Sequence, residues 1–257
     1  EEGAEQTAMI IDILPRKNYI TRQSPSHKMQ HHIVAANIDQ SIVFATLKEP
    51  RTSQGFIDRF LVTAEAYHVP AIIIFNKKDI YRKKELDKFE ELREMYTAIG
   101  YPVFGVSVKE NEGLAEVKNL LKDKTTLMSG HSGVGKSSFI NTLFPEFRLK
   151  TQDVSGWSGK GMHTTTFAEM FDLPGGGRLI DTPGMREFGI VDMTKQELSH
   201  YFPEMRALLQ DCQFNNCLHI NEPGCAIKKA VEDGRIDAER YVSYWNILDS
   251  IGEKFKG

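Results

Sequence analysis

The octet Gly130-His131-Ser132-Gly133-Val134-Gly135-Lys136-Ser137 constrains the fold more than any other part of the chain. Glycines at these spacings let successive backbone N–H groups converge on phosphate oxygens, and they do so where a strand ends and a helix begins. An apolar strand, Thr126 to Ser129, leads into the octet, and an apolar helix over 136–143 leads out of it. In that setting Lys136 reaches the β- and γ-phosphates and Ser137 can coordinate Mg²⁺, with Ser138 beside it in the first helical turn. Such a loop belongs to an open α/β sheet. Apolar bursts at Ile42 to Leu47, Ala71 to Phe75, Val103 to Val108 and Leu179 to Asp181 alternate with helix-period stretches at 55–67, 82–98 and 112–121, the pattern of a parallel sheet. Pro174-Gly175-Gly176-Gly177 predicts a hairpin turn between strands at 167–173 and 178–180.

Three further motifs sit at strand ends. Asp181-Thr182-Pro183-Gly184 ends an apolar strand, where Asp181 could hold Mg²⁺ and the Gly184 N–H could sense a γ-phosphate. By itself it is also an ordinary turn sequence. Asn76, Lys77, Lys78 and Asp79 end the strand Ile72 to Phe75 in the Asn-Lys-x-Asp pattern of guanine readers. The Asp79 carboxylate can accept two hydrogen bonds from a guanine edge, a pattern adenine cannot supply, while the Lys77 stem can pack on the ring. Without the phosphate loop, a polar helix cap would be an equal reading. Ser107-Val108-Lys109 ends the next strand and fits the supporting Ser-Ala-Lys element, with Ser107 and Lys109 as its polar members. In an ordinary GTPase the phosphate loop precedes the guanine motif. Here it follows, so the domain is read as circularly permuted, a rearrangement that surface termini permit.

Outside residues 38–194 the character changes. Residues 1–37 show β-type alternation at Met9 to Ile13 and Tyr19 to Thr21, too little for a domain and read as part of a small barrel. The segment Ile13 to Ile38 holds Arg16, Lys17, Arg22, Lys28 and three histidines and no Asp or Glu, so a basic face with Tyr19 could meet an RNA backbone or simply face water. The net charge of -3 excludes a wholly basic nucleic-acid coat protein. No apolar run approaches the 18 or so residues of a membrane span, and no apolar stretch near residue 1 resembles a signal peptide, so cytoplasm is the expected compartment. Residues 195–257 predict helices at 195–209, at 226–233 and from 237, the last with Tyr241, Tyr244, Trp245, Leu248 and Ile251 on one face. Between the first two lie Cys212, Cys217, His219 and Cys225, which use every cysteine in the chain and make the Cys₃His set of a closed tetrahedral Zn²⁺ site. A closed shell leaves no position for substrate, so the site is read as structural. His200 is read as a surface histidine.

The permuted motifs, the zinc spacing, Leu14-Pro15-Arg16-Lys17-Asn18-Tyr19, Ala36-Asn37-Ile38-Asp39-Gln40 and Ser158-Gly159-Lys160-Gly161-Met162-His163-Thr164-Thr165-Thr166 together resemble the RsgA (YjeQ) family of circularly permuted GTPases that act in small ribosomal subunit assembly. The resemblance spans essentially the whole chain. It implies an N-terminal OB-fold, partial here over 1–37, a permuted P-loop GTPase domain over 38–194 and a helical zinc-binding domain over 195–257. Met162 departs from the Arg that the family often carries before the histidine. The position after Asp-x-x-Gly, which in most regulatory GTPases orients the attacking water, is Met185, and a thioether cannot polarise water. His163 is the candidate for that role beside Lys136, though a loop histidine without a catalytic part fits the residues too. One of Thr164 to Thr166 should complete the Mg²⁺ shell with Ser137 and Asp181; Thr165 is taken as the candidate. The expected protein is a cytoplasmic monomer that hydrolyses GTP to GDP and binds the small ribosomal subunit and its rRNA. The competing reading is a GTP-dependent binding switch for another RNA or protein in which hydrolysis is incidental.

Overall fold

A computed structural model of the chain describes residues 9–23, 31–147, 169–181 and 193–253. The strands are β1 (Tyr19–Gln23), β2 (His31–Ala36), β3 (Gln40–Ala45), β4 (Ala71–Phe75), β5 (Val103–Gly105), β6 (Thr125–Gly130), β7 (Glu169–Asp172) and β8 (Arg178–Asp181). The helices are α1 (Gln54–Ala66), α2 (Lys83–Ile99), α3 (Leu114–Leu121), α4 (Lys136–Leu143), α5 (Pro203–Arg206), α6 (Ala226–Glu232) and α7 (Ala238–Glu253). Six strands form one sheet in the order β5-β4-β3-β6-β8-β7, parallel except for the antiparallel β7–β8 pair. That pair is the predicted hairpin.

Alternation within the buried strands divides the core. Val43 and Ala45 of β3 and Ile73 and Phe75 of β4 pack with Ile57, Phe60 and Leu61 of α1 and Phe89 and Leu92 of α2. Their neighbours Ile42, Phe44, Ile72 and Ile74 point to the opposite face, onto Val117 of α3 and Phe139 and Ile140 of α4. Both faces are covered, which is why these strands read as continuous apolar runs. The chain winds outward through β4 and β5, then returns to place β6 beside β3 and winds the other way through β8. The crevice at the carboxyl ends of β3 and β6 is therefore a topological switch point, where open α/β sheets bind ligands.

The antiparallel ribbon β1–β2 packs Ile20 and Ala35 into the core on the α1 side of the sheet. Residues 9–18 contain no strand, against the alternation expected at Met9 to Ile13, and Met9, Ile10, Ile11 and Ile13 are 82–92% exposed. A strand needs a neighbour for its N–H and C=O groups, and none of the described residues lies there. The helix expected at 195–209 is instead three short turns, 198–201, α5 and 209–211. Pro203 interrupts it, because its ring and missing N–H can open a helix but not continue one. On α7, Tyr244, Ile247 and Leu248 are buried while Trp245 is 40% exposed, so the apolar face excludes the tryptophan. This helix packs beside Val62 of α1 in a third core that also contains Cys217 and Cys225. Among the described residues no helix is long and apolar enough to cross a membrane.

Candidate functional site

The octet lies in the crevice at the switch point. Its backbone requires glycine at two close approaches. Gly130 has φ +149°, and an added Cβ would meet the Phe44 carbonyl at 2.4 Å. Gly135, the residue before α4, has φ +98°, and an added Cβ would meet the Asn76 amide at 2.3 Å. Val134 is fully buried under the loop, Ser132 and Gly133 form its exposed rim, and Ser137 and Ser138 are half-buried in the first turn of α4. Lys136 folds back over the loop and donates to the carbonyls of Gly130 (2.6 Å) and His131 (3.2 Å). Burial lowers its ammonium from the usual lysine range, and the nearby Asp181 carboxylate opposes that shift. Asp181 is buried at the end of β8, with its neighbour in register on β6 being Met128. The His131 ring lies against Phe56 of α1, with centroids 3.8 Å apart and the planes tilted by 32°.

The Asn76–Asp79 turn is joined directly to this loop. The Asn76 side chain donates to the Val134 carbonyl (2.9 Å) and accepts from the Val108 N–H (3.2 Å), so one buried amide links the octet, the turn and the Ser107 segment. Asp79 accepts from the Ser107 hydroxyl at 2.7 Å, which fixes the carboxylate edge. Lys77 has φ +65° and donates to the Glu49 carbonyl. Lys78 turns the other way, pairing with Glu112 at 2.7 Å beside Phe89, and Lys109 is 76% exposed in the turn beyond Ser107. Asn76, Lys77, Asp79, Ser107 and Lys136 are thus brought together, and Lys78 and Lys109 are not. His163, Thr164 to Thr166 with the candidate Thr165, Gly184 and Met185 lie outside the described residues. Tyr81 escaped the sequence reading: its buried hydroxyl donates to the Asn76 carbonyl (2.8 Å) and accepts from the Leu47 N–H (2.9 Å).

The second cluster is Cys212, Cys217, His219 and Cys225, whose ligand atoms all lie within 4.8 Å of one another. His219 Nδ1 is 3.7 Å from Cys212 Sγ and 3.4 Å from Cys225 Sγ. Tetrahedral bonds of the usual Zn–S and Zn–N lengths put such atoms about 3.5 Å apart, so the donor set fits a small tetrahedral cation. Without a metal, burial pushes the Cys217 thiol up and lowers the His219 imidazole. Glu222 shapes the loop by accepting the N–H groups of Leu218 (2.8 Å), Ile220 (2.9 Å) and Asn221 (3.1 Å). Tyr241 and Tyr244 of α7 donate to the carbonyls of His219 and Leu218. His200 is exposed and outside the cluster.

Comparison with known proteins agrees with this geometry. Residues 13–191 match the family described as RsgA GTPase. The small ribosomal subunit biogenesis GTPase RsgA of Bacteroides fragilis is 50% identical over 245 residues, covering 95% of this chain and 79% of that protein. The crystal structure of YjeQ from Thermotoga maritima superposes with a TM-score of 0.76 at 37% identity, covering 93% of this chain and 77% of that one. The structure of YloQ, a circularly permuted GTPase, superposes with a TM-score of 0.71 at 30% identity, covering 95% and 83%.

Proposed function

We propose, from the premise that the chain belongs to the RsgA GTPase family, that it hydrolyses GTP to GDP and phosphate and assists late maturation of the small ribosomal subunit. The observation that carries the nucleotide reading is the Asn76 amide, 2.9 Å from the Val134 carbonyl, because it sets the base-reading turn against the phosphate loop. In this reading the octet N–H groups and Lys136 bind the phosphates, Asp79 reads the guanine edge, and Ser107 keeps its carboxylate aligned. Ser137, Asp181 and one of Thr164 to Thr166, with Thr165 the candidate, would hold Mg²⁺, which spreads the charge of the β- and γ-phosphates when bound. Gly184 would donate to the γ-phosphate. His163 would orient the attacking water, because Met185 holds the usual glutamine position and has no group to do so. The phosphate-loop lysine gives up its contacts to Gly130 and His131 as phosphate oxygens replace those carbonyls.

The same reading divides the chain into a partial OB-fold over 1–37, the permuted GTPase domain over 38–194 and a zinc-binding domain over 195–257. It works in the cytoplasm as a monomer and contacts rRNA through the basic 13–38 segment, where Arg16, Lys17 and Tyr19 are exposed. Adding small ribosomal subunits is expected to raise single-turnover GTP hydrolysis at least tenfold, on the order of known activation by ordering catalytic groups. His163→Ala should lose that stimulation with nucleotide affinity nearly unchanged, the signature of a contact made in the transition state. Equal stimulation of both proteins removes His163 from the mechanism, and no stimulation of either favours the binding-switch reading.

The Cys₃His cluster is proposed to hold one structural Zn²⁺. Such a metal organises the loop from Cys212 to Cys225 rather than supplying chemistry, because all four ligands come from the protein. Metal analysis of chelator-washed protein is expected to find one zinc per chain. Cys217→Ser should remove it and unfold the C-terminal helices while the β-sheet domain still binds nucleotide. Absence of zinc from the wild type, or full retention in the variant, would contradict the assignment.

A further inference from the structure

Tyr81 stands immediately after the short turn Lys78–Ile80 that carries Asp79, yet its side chain reaches back to the beginning of the motif. Its hydroxyl donates to the Asn76 carbonyl at 2.8 Å and accepts from the Leu47 N–H at 2.9 Å. Residues 76–81 are thereby closed into a loop braced across its own ends. The brace matters because Lys77 adopts a left-handed conformation, which a non-glycine residue holds only when its surroundings over-determine it. The Leu47 end of the brace is itself fixed. Thr46 and Thr52 close the segment between β3 and α1 on itself, through the Thr52 N–H to the Thr46 carbonyl (2.8 Å) and the Thr46 N–H to the Thr52 hydroxyl (3.1 Å). From this segment Lys48 donates to the Ile80 carbonyl (3.3 Å), the Glu49 carbonyl accepts from Lys77, and Pro50 lies against Gly133 of the phosphate loop.

We propose that Tyr81 is a positioning residue for base recognition: through its hydroxyl, the segment 46–52 sets where Asp79 stands relative to the phosphate loop. The inference rests on the guanine reading above and deepens it. Tyr81 does not touch the base in this account. It holds the turn so that both carboxylate oxygens of Asp79 meet the guanine edge at once, and the contact most sensitive to a small displacement of that turn is the one to the exocyclic amino group. Inosine lacks this group, so the ratio of GDP to IDP affinity reports Asp79 placement, whereas general loosening of the domain weakens both nucleotides alike.

The test is titration of the full chain with GDP and with IDP, for the wild type, Tyr81→Phe, Thr52→Val and Tyr101→Phe. Tyr101 is a fitting control because it is also buried and also loses one hydroxyl contact, to Glu65 at 3.2 Å, away from the site. The wild type is expected to prefer GDP over IDP. Tyr81→Phe should shrink that preference by up to about tenfold, the scale of one buried hydrogen bond, while Tyr101→Phe leaves it unchanged. Thr52→Val keeps the side-chain volume and removes one of the two hydrogen bonds that close the far end of the brace, the one from the Thr46 N–H, so the preference should fall by about threefold even if Tyr81→Phe does not fold. An unchanged ratio in Tyr81→Phe, or in Thr52→Val where Tyr81→Phe cannot be purified, overturns the proposal. So does an equal fall in Tyr81→Phe and Tyr101→Phe. A wild type without preference between GDP and IDP overturns the guanine reading itself, a result distinct from either.

Discussion

Replacing Arg240 by methionine is expected to cost about 3–5 kcal/mol of folding stability, the scale for removing one member of a buried ion cluster. Arg240 of α7 is fully buried, and its guanidinium contacts Asp58 of α1 at 2.7 Å and Glu204 of α5 at 2.8 Å. It also lies 4.6 Å from the Phe202 ring centroid and 5.8 Å from that of Tyr96. Tyr96 of α2 donates to the same Asp58 oxygen at 2.6 Å. Burial works to lower the arginine, but Asp58 and Glu204 outweigh it and hold the guanidinium charged. At Asp58 burial raises the carboxyl, and the Arg240 charge and the Ser243 and Tyr96 hydroxyls pull the other way. Removing the cation leaves the buried Asp58 carboxyl with only the Tyr96 and Ser243 hydroxyls and leaves Glu204 without its partner, which is worse than never having buried the cluster. Denaturant unfolding should show the loss. Arg240→Met combined with Asp58→Leu should be less destabilised than the sum of the two single changes, because the second change removes the stranded charge. A single-variant loss below about 1 kcal/mol, or strict additivity, would contradict this account of how the C-terminal helices are held to α1.

The division between what the residues disclosed and what they did not follows the range of each interaction. The phosphate loop, the Asn76–Asp79 turn and the Cys₃His set are local in sequence, and their chemistry needs particular residues at fixed spacings. The buried runs of β3 and β4 were likewise legible, because a parallel strand covered on both faces must be apolar throughout. Tyr81 gave no signal, since its function lies in where one hydroxyl reaches. Asp58 and Arg240 are separated by 182 positions, and each by itself reads as an ordinary charged residue on an amphipathic helix. At the other extreme, Met9 to Ile13 alternates as a strand does, yet alternation only proposes a strand and a pairing partner makes one. Pro203 divides the 195–209 stretch into short turns, although the apolar spacing around it has the period of a single helix.

Asp79→Asn is expected to weaken GDP binding by about a hundredfold or more while leaving the fold intact. Asp79 is exposed, so its replacement disturbs no core, and the amide oxygen can still accept from the Ser107 hydroxyl now 2.7 Å away. What changes is the outer face of the group. A carboxylate accepts two hydrogen bonds from guanine, each worth about 1.5–3 kcal/mol when one partner is charged, whereas an amide presents a donor to one of guanine's donors. Xanthine carries an oxo group where guanine carries its amino group, so the amide should suit xanthosine nucleotides instead. The direct measurement is competition of GDP, ADP and XDP against a fluorescent GDP analogue, for the wild type and for Asp79→Asn. The account predicts that GDP alone competes strongly in the wild type and that XDP overtakes it in the variant. Wild-type binding of ADP as tight as GDP, or an Asp79→Asn protein that still prefers GDP, would contradict a guanine site built from motifs in permuted order.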